Sequence, residues 1–122
     1  MANSVVWVDI PVLDLDRALA FYSAVLGEQL GKADMDGFSL GFLPGQDGSG
    51  AVSGCLFVAQ EIKPSTEGVL VYLNCQGRLE EAEAAIEPNG GKVLESKHQI
   101  GPHGYRVVMV DTEGNRMALH SM

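Results

Sequence analysis

The sequence predicts an α+β fold: two tandem βαβββ modules forming a curved mixed sheet around a cavity. Three observations carry that prediction. Residues 5–12 alternate apolar and polar with period 2, and a stripe of helical spacing follows them. The order strand, helix, three strands then recurs after a break at residues 63–68. The two helical stripes are related by one offset, Leu15 with Leu79, Ala18 with Ala82 and Gly27 with Gly91. A helix must cover one face of its own sheet, which leaves the other, concave faces to line a shared cavity.

In VVWVDIPV, residues 5–12, Val6, Val8, Ile10 and Val12 share one face and Trp7 and Asp9 the other. Pro11 argues against a central, fully paired position. Asp14 reads as the N-cap of a helix whose buried stripe is Leu15, Ala18, Leu19, Tyr22 and Leu26, closed by Gly27. Weaker strand signals follow at Glu28–Lys32, Phe38–Leu43 and Val52–Ala59, the last two joined by the polar turn PGQDGSG, residues 44–50. In the second half Val69–Cys75 is a strand, and Leu79, Ala82 and Ile86 form a helical stripe closed by Asn89, Gly90 and Gly91. Three strands complete it: Lys92–His98, Gly104–Val110 and Arg116–Ser121, the last preceded by the tight turn DTEGN, residues 111–115. The acidic run at residues 80–87 reads as the solvated face of the second helix.

The 122 residues suit one domain, 1–122, with module one at 1–62, a linker at 63–68 and module two at 69–122. A hydrophobic fraction of 46% and a charged fraction of 20% give a normal globular balance. The formal charge of −8 disfavours nucleic acid, whose binding needs a basic stripe. No apolar run approaches the ~20 residues of a membrane span, and the first ten residues do not read as a signal peptide, so the expected location is cytoplasmic. Cys55 and Cys75 are expected to be buried thiols.

Two stretches are more specific than pattern alone. The run D-x-D-R-A-x-x-F-Y-x-x-V-L-G, within residues 5–27, and the turn D-x-E-G-N before the last strand, within residues 90–121, resemble the opening and closing signatures of the glyoxalase/bleomycin-resistance/dioxygenase (vicinal oxygen chelate) superfamily. The likeness is strongest to small bacterial glyoxalase-related single-domain proteins. It implies the paired βαβββ modules, a small-molecule ligand and a homodimer. It does not choose a chemistry, since the superfamily holds glyoxalase I, dioxygenases, epimerases and metal-free antibiotic-binding proteins.

The resemblance also implies where a divalent metal would sit in metal-dependent members: on the first and last strand of each module. Matched motif to motif, those positions are Trp7 and Ala118, with the other two near Gly54 and Val69. None offers a side-chain donor suited to a cation. No metal site and no cofactor are therefore expected, with an atypical divalent-metal arrangement as the alternative. Residues two apart share a strand face, so Trp7, Asp9, Arg116 and His120 are expected to face inward as an aromatic wall with an acid, a cation and a base. His103 and Tyr105, on the loop KHQIGPHGYR, are further ligand contacts at the cavity mouth. Asp9 and His120 are the catalytic candidates, suited to proton transfer, although the pair could equally satisfy buried polar groups. Three functions stay open: a metal-free small-molecule-binding protein, a lyase- or isomerase-type enzyme, and a dimeric interaction module without ligand.

Overall fold

A computed structural model of the chain describes residues 3–35, 37–45 and 52–122. It contains β1 (Trp7–Val12), α1 (Leu15–Leu26), β2 (Lys32–Met35), β3 (Phe38–Phe42) and β4 (Ser53–Val58), then β5 (Val71–Asn74), α2 (Leu79–Ile86), β6 (Lys92–Gln99), β7 (Tyr105–Val110) and β8 (Arg116–Ser121). The strands form two four-stranded sheets, ordered β1-β4-β3-β2 and β5-β8-β7-β6. In each sheet the first and last strands of the module run parallel and the remaining pairs antiparallel. The two βαβββ modules read from the sequence are thus present.

Local chemistry explains the elements. Asp14 caps α1 by accepting the Arg17 N–H at 3.1 Å, and Gly27 closes it at φ 75° with its N–H on the Ser23 carbonyl. Pro11 is tolerated because β1 is an edge strand. Ile10 and Val12 point into the core while Trp7 and Asp9 lie on the exposed face, as the alternation requires.

Four boundaries and contacts differ from the sequence reading. The second strand begins at Lys32, because residues 28–31 leave α1 with the Leu30 N–H tied to the Ser23 hydroxyl. β1 begins at Trp7, and Val6 lies outside it, 74% exposed. α2 ends in a 3-10 turn, Glu87–Asn89, so the left-handed cap is Gly90 at φ 98° and not Gly91. Gly91 is small for another reason: a Cβ there would lie 2.7 Å from the Phe21 ring. The acidic run is also less free than its composition suggests. Glu80 pairs with Lys97, and Glu83 accepts the Lys97 N–H at 3.0 Å, tying α2 to β6. The turn at residues 44–50 falls mostly outside the described residues.

The apolar core is a single cluster drawn from both modules. The helices pack on each other as well as on their sheets, which is why Phe21 and Val25 are buried beside the stripe seen in the sequence while Leu26 is only half-buried. Each large apolar side chain so buried contributes roughly 1.5–3 kcal/mol. The D-T-E-G-N turn joins the modules. The Asp111 carboxylate accepts the Tyr22 hydroxyl at 2.5 Å and the N–H groups of Glu113 and Asn115 at 2.8 and 2.9 Å. Asn115 donates to the Pro11 carbonyl, and Glu113 accepts the N–H groups of Leu13 and Asp14, both at 2.8 Å, and the Arg17 guanidinium. The signature turn is therefore a clamp on the start of α1.

Candidate functional site

The helix-free faces of the two sheets are open, with Trp7 42% and Tyr72 45% exposed. Each carries its own polar cluster. On the first sheet the Trp7 indole N–H donates to Asp9 Oδ1 at 2.8 Å, and the Trp7 ring meets Phe42 edge-on at 6.5 Å. Cys55, register partner of Asp9, approaches the same carboxylate oxygen at 3.4 Å. Burial first, then Asp9, push the Cys55 thiol up to about 11, so it stays protonated near neutrality.

The second sheet carries a denser group. Arg106 donates from Nη1 to the Tyr72 hydroxyl at 2.6 Å and from Nε to His98 Nε2 at 3.0 Å. His98 holds its other ring nitrogen 2.8 Å from the Ser96 carbonyl. A carbonyl only accepts, so His98 is the neutral Nδ1–H tautomer and its Nε2 lone pair is free to accept from Arg106. Glu95 lies between Arg106, at 3.9 Å, and Arg116, at 3.7 Å. His120 places Nε2 2.7 Å from the His103 carbonyl, and its ring stands 6.3 Å from Tyr72. By the same argument His120 carries a proton on Nε2, which it donates to that carbonyl.

That contact depends on Gly104. Its φ of 94° and ψ of −143° suit glycine alone, and a Cβ there would lie 2.5 Å from the Ser121 carbonyl and 3.2 Å from His120 Nε2. The G-P-H-G segment thus seats His120.

The structure brings Trp7 and Asp9 together on the first sheet; Arg116 and His120 lie on the second, four residues apart along β8, with Arg116 on Glu95 and His120 on the His103 carbonyl. No hydrogen bond or ring contact among the described residues joins the two groups. His103 reaches the second group through its backbone carbonyl, while its side chain is exposed. Tyr105 belongs to the other face: it shares the register of the buried Val107 and lies under the Lys97 ammonium, 5.0 Å from its ring centre. Sequence reasoning missed Tyr72, Glu95, His98 and Arg106 as a cluster. The period-2 rule could have placed Tyr72 opposite Ala118, but β6 carries register irregularities between Val93 and His98 that hide which of its residues face the cluster.

Two of the four positions matched to the metal ligands, Gly54 and Val69, do not stand on the open strand faces. Gly54 turns toward β1, where a Cβ would lie 2.2 Å from the Val8 carbonyl, and Val69 precedes β5. The side chains facing the open surface beside Trp7 and Ala118 are Ser53 and Tyr72, their register partners. An indole, a hydroxyl, a phenol and a methyl group do not fit a divalent cation of the usual kind. Among the described residues, no group of three or more His, Cys, Asp or Glu side chains is arranged to hold a metal ion.

Comparison with known proteins gives the fold its place. Residues 4–40 match the family described as bleomycin resistance protein-like N-terminal. A glyoxalase/bleomycin resistance protein from Albidiferax ferrireducens superposes with a TM-score of 0.77 at 19% identity, over 98% of this chain and 99% of that one. A genomically encoded fosfomycin resistance protein from Listeria monocytogenes gives 0.62 at 14% identity, over 100% and 93%. A glyoxalase I mutant from Zea mays gives 0.69 at 19% identity, over 95% of this chain and 46% of that one. No curated protein sequence matches the chain significantly. The fold is thus the one seen in solved structures described as glyoxalase/bleomycin resistance/dioxygenase proteins, and residues 4–40 add a sequence match to the bleomycin resistance protein-like N-terminal family.

Proposed function

We propose that the chain binds a small organic molecule on the open faces of its sheets, without the divalent metal used by metal-dependent relatives, and that it works as a cytoplasmic homodimer. The observation that supports this reading is that Trp7 and Ala118, matched by resemblance to two metal-ligand positions, stand beside Ser53 and Tyr72, near aromatic and charged side chains held in fixed geometry. Trp7 and Tyr72 offer apolar walls with polar tips; Arg106, Arg116 and His120 offer directional donors and a base. A homodimer would cover faces that leave Trp7 and Tyr72 in water. Among the described residues, no helix is long and apolar enough to cross a membrane, and the charge of −8 does not suit nucleic acid.

Trp7 is the only tryptophan, so its emission reports directly on this surface. Titration with a panel of small aromatic and polar organic compounds should give a saturable change in Trp7 fluorescence for at least one class, and Trp7→Ala should weaken binding measured by calorimetry. Unchanged affinity in Trp7→Ala would remove Trp7 from the site.

A second reading, an isomerase- or lyase-type enzyme, draws on one observation: the His103 carbonyl orients the His120 ring through Nε2, so that Nδ1 is the nitrogen that would exchange a proton with a ligand. In that reading His120 moves the proton, and Asp9, held by Trp7 and Cys55, is set apart from it on the other sheet.

A further inference from the structure

A groove of about 680 Å³ runs along the seam between the modules and meets the open sheet faces at Ser53 and Tyr72. Its walls are apolar: Val8 and Leu26 from the first module, Val71 and Leu73 from the second. Its volume falls in the range of pockets that take small molecules, roughly 300–1,000 Å³. One cation lines it, Arg78, in the loop that leads into α2. The guanidinium lies over the backbone of Gly27, where a Cβ would come within 2.7 Å of its Cζ. It donates to the Val25 carbonyl at the end of α1. That contact uses one of the five N–H donors of the fork. Arg78 makes no ion pair with any carboxylate among the described residues; Glu28, which also lines the groove, lies beyond ion-pair distance. The loop therefore holds a half-buried, pinned guanidinium, without an acidic partner, at the end of an apolar trench.

We propose that the seam groove, which adjoins the open-face site at Ser53 and Tyr72, takes an amphipathic organic anion: an aliphatic or aromatic body along Val8, Leu26, Val71 and Leu73, with its carboxylate on Arg78. The carboxylate meets a planar donor already seated by Gly27 and Val25, so little side-chain freedom is lost on binding. The apolar body removes the exposed parts of Val71 and Leu26 from water. Asn74 and Gln76 at the rim leave room for polar substituents on the ligand.

The test is an amide NMR titration of the folded chain with octanoate, with octanol and octylammonium as charge controls. Saturable shifts centred on residues 26–28, 71, 73–76 and 78, with Trp7 and Arg106 unmoved, in the order octanoate tighter than octanol and octylammonium weakest, are the expected result. Arg78→Gln should weaken octanoate about tenfold and leave octanol unchanged, as loss of one charge-assisted contact requires. If Arg78→Gln does not fold, Val71→Phe, which narrows the trench and leaves Arg78 in place, should weaken both octanoate and octanol. Equal binding of octanoate and octylammonium, shifts at Trp7 and Arg106 instead of the seam, or no saturable shift would overturn the proposal. Concentration-dependent shifts of the seam residues without any ligand would overturn it too, by showing that a second copy occupies the groove. Failure of a ligand to bind at Trp7 leaves this test unaffected.

Discussion

At the scale of single residues, the chemistry rests on hydrogen bonds that decide which ring nitrogen of a histidine bears a proton. The His98 and His120 tautomers follow from the carbonyls of Ser96 and His103, since a carbonyl oxygen cannot donate. Gly104 is the residue on which His120 depends. Gly104→Ala should lower stability by about 1–3 kcal/mol, the cost of forcing a side chain into a glycine-only conformation. It should also release His120. Nitrogen chemical shifts of the imidazole check this: the wild type should show a dominant Nε2–H tautomer, and the variant a mixed population. Retention of the single tautomer in Gly104→Ala would mean that His103 does not hold the ring. None of this was legible in the sequence, where the loop showed only as a glycine-proline turn and His120 only as a face assignment.

At the scale of elements, the alternation of β1, the Asp14 cap and Gly27 predicted the first module's opening closely, because each signal is local. Signals that depend on a neighbour failed. The start of β2 is displaced by the Ser23 hydroxyl, and Gly91 answers to Phe21, a residue of the other module. Tyr105 was assigned to the ligand side, yet its register with the buried Val107 and its stacking under Lys97 place it on the helix side. Gly54 shows the same dependence. In the sequence it is one strand glycine among many; in the sheet it lets β4 approach β1, with Val8 O where its Cβ would be. Gly54→Ala should destabilise the fold by roughly 1–3 kcal/mol, the typical cost of overpacking. Denaturant unfolding measures it, and a change below a few tenths of a kcal/mol would show that β1 and β4 can separate without cost.

At the scale of the whole molecule, the D-T-E-G-N turn explains why the two modules share one core. Burial would raise the Glu113 carboxyl, but hydrogen bonds from Arg17 and Thr112 and from the N–H groups of Asp14 and Leu13 win and hold it at about 2. A carboxyl depressed from its ordinary 4.5 contributes stability that is fully present above the unfolded value and lost as pH falls through the folded one. The chain should therefore lose about 2–3 kcal/mol between pH 5 and pH 2 through this one group. Glu113→Gln should lower stability at pH 7 and flatten that stretch of the curve. Parallel acid curves for wild type and variant would contradict the clamp. The motif itself stood out in the sequence, but as a turn; its role needed the contacts of Pro11, Leu13 and Tyr22.

The central claim is the proposal that the open faces work without the metal of metal-dependent relatives, argued from Trp7 and Ala118 at two of the matched positions and from Ser53 and Tyr72 beside them. The most direct measurement is elemental analysis of the purified protein, paired with thermal-shift titrations of nickel, cobalt, manganese, zinc and iron. The account predicts substoichiometric metal and a melting temperature that does not rise with metal concentration. A stoichiometric ion, or stabilisation that grows with its concentration as linkage requires, would contradict it.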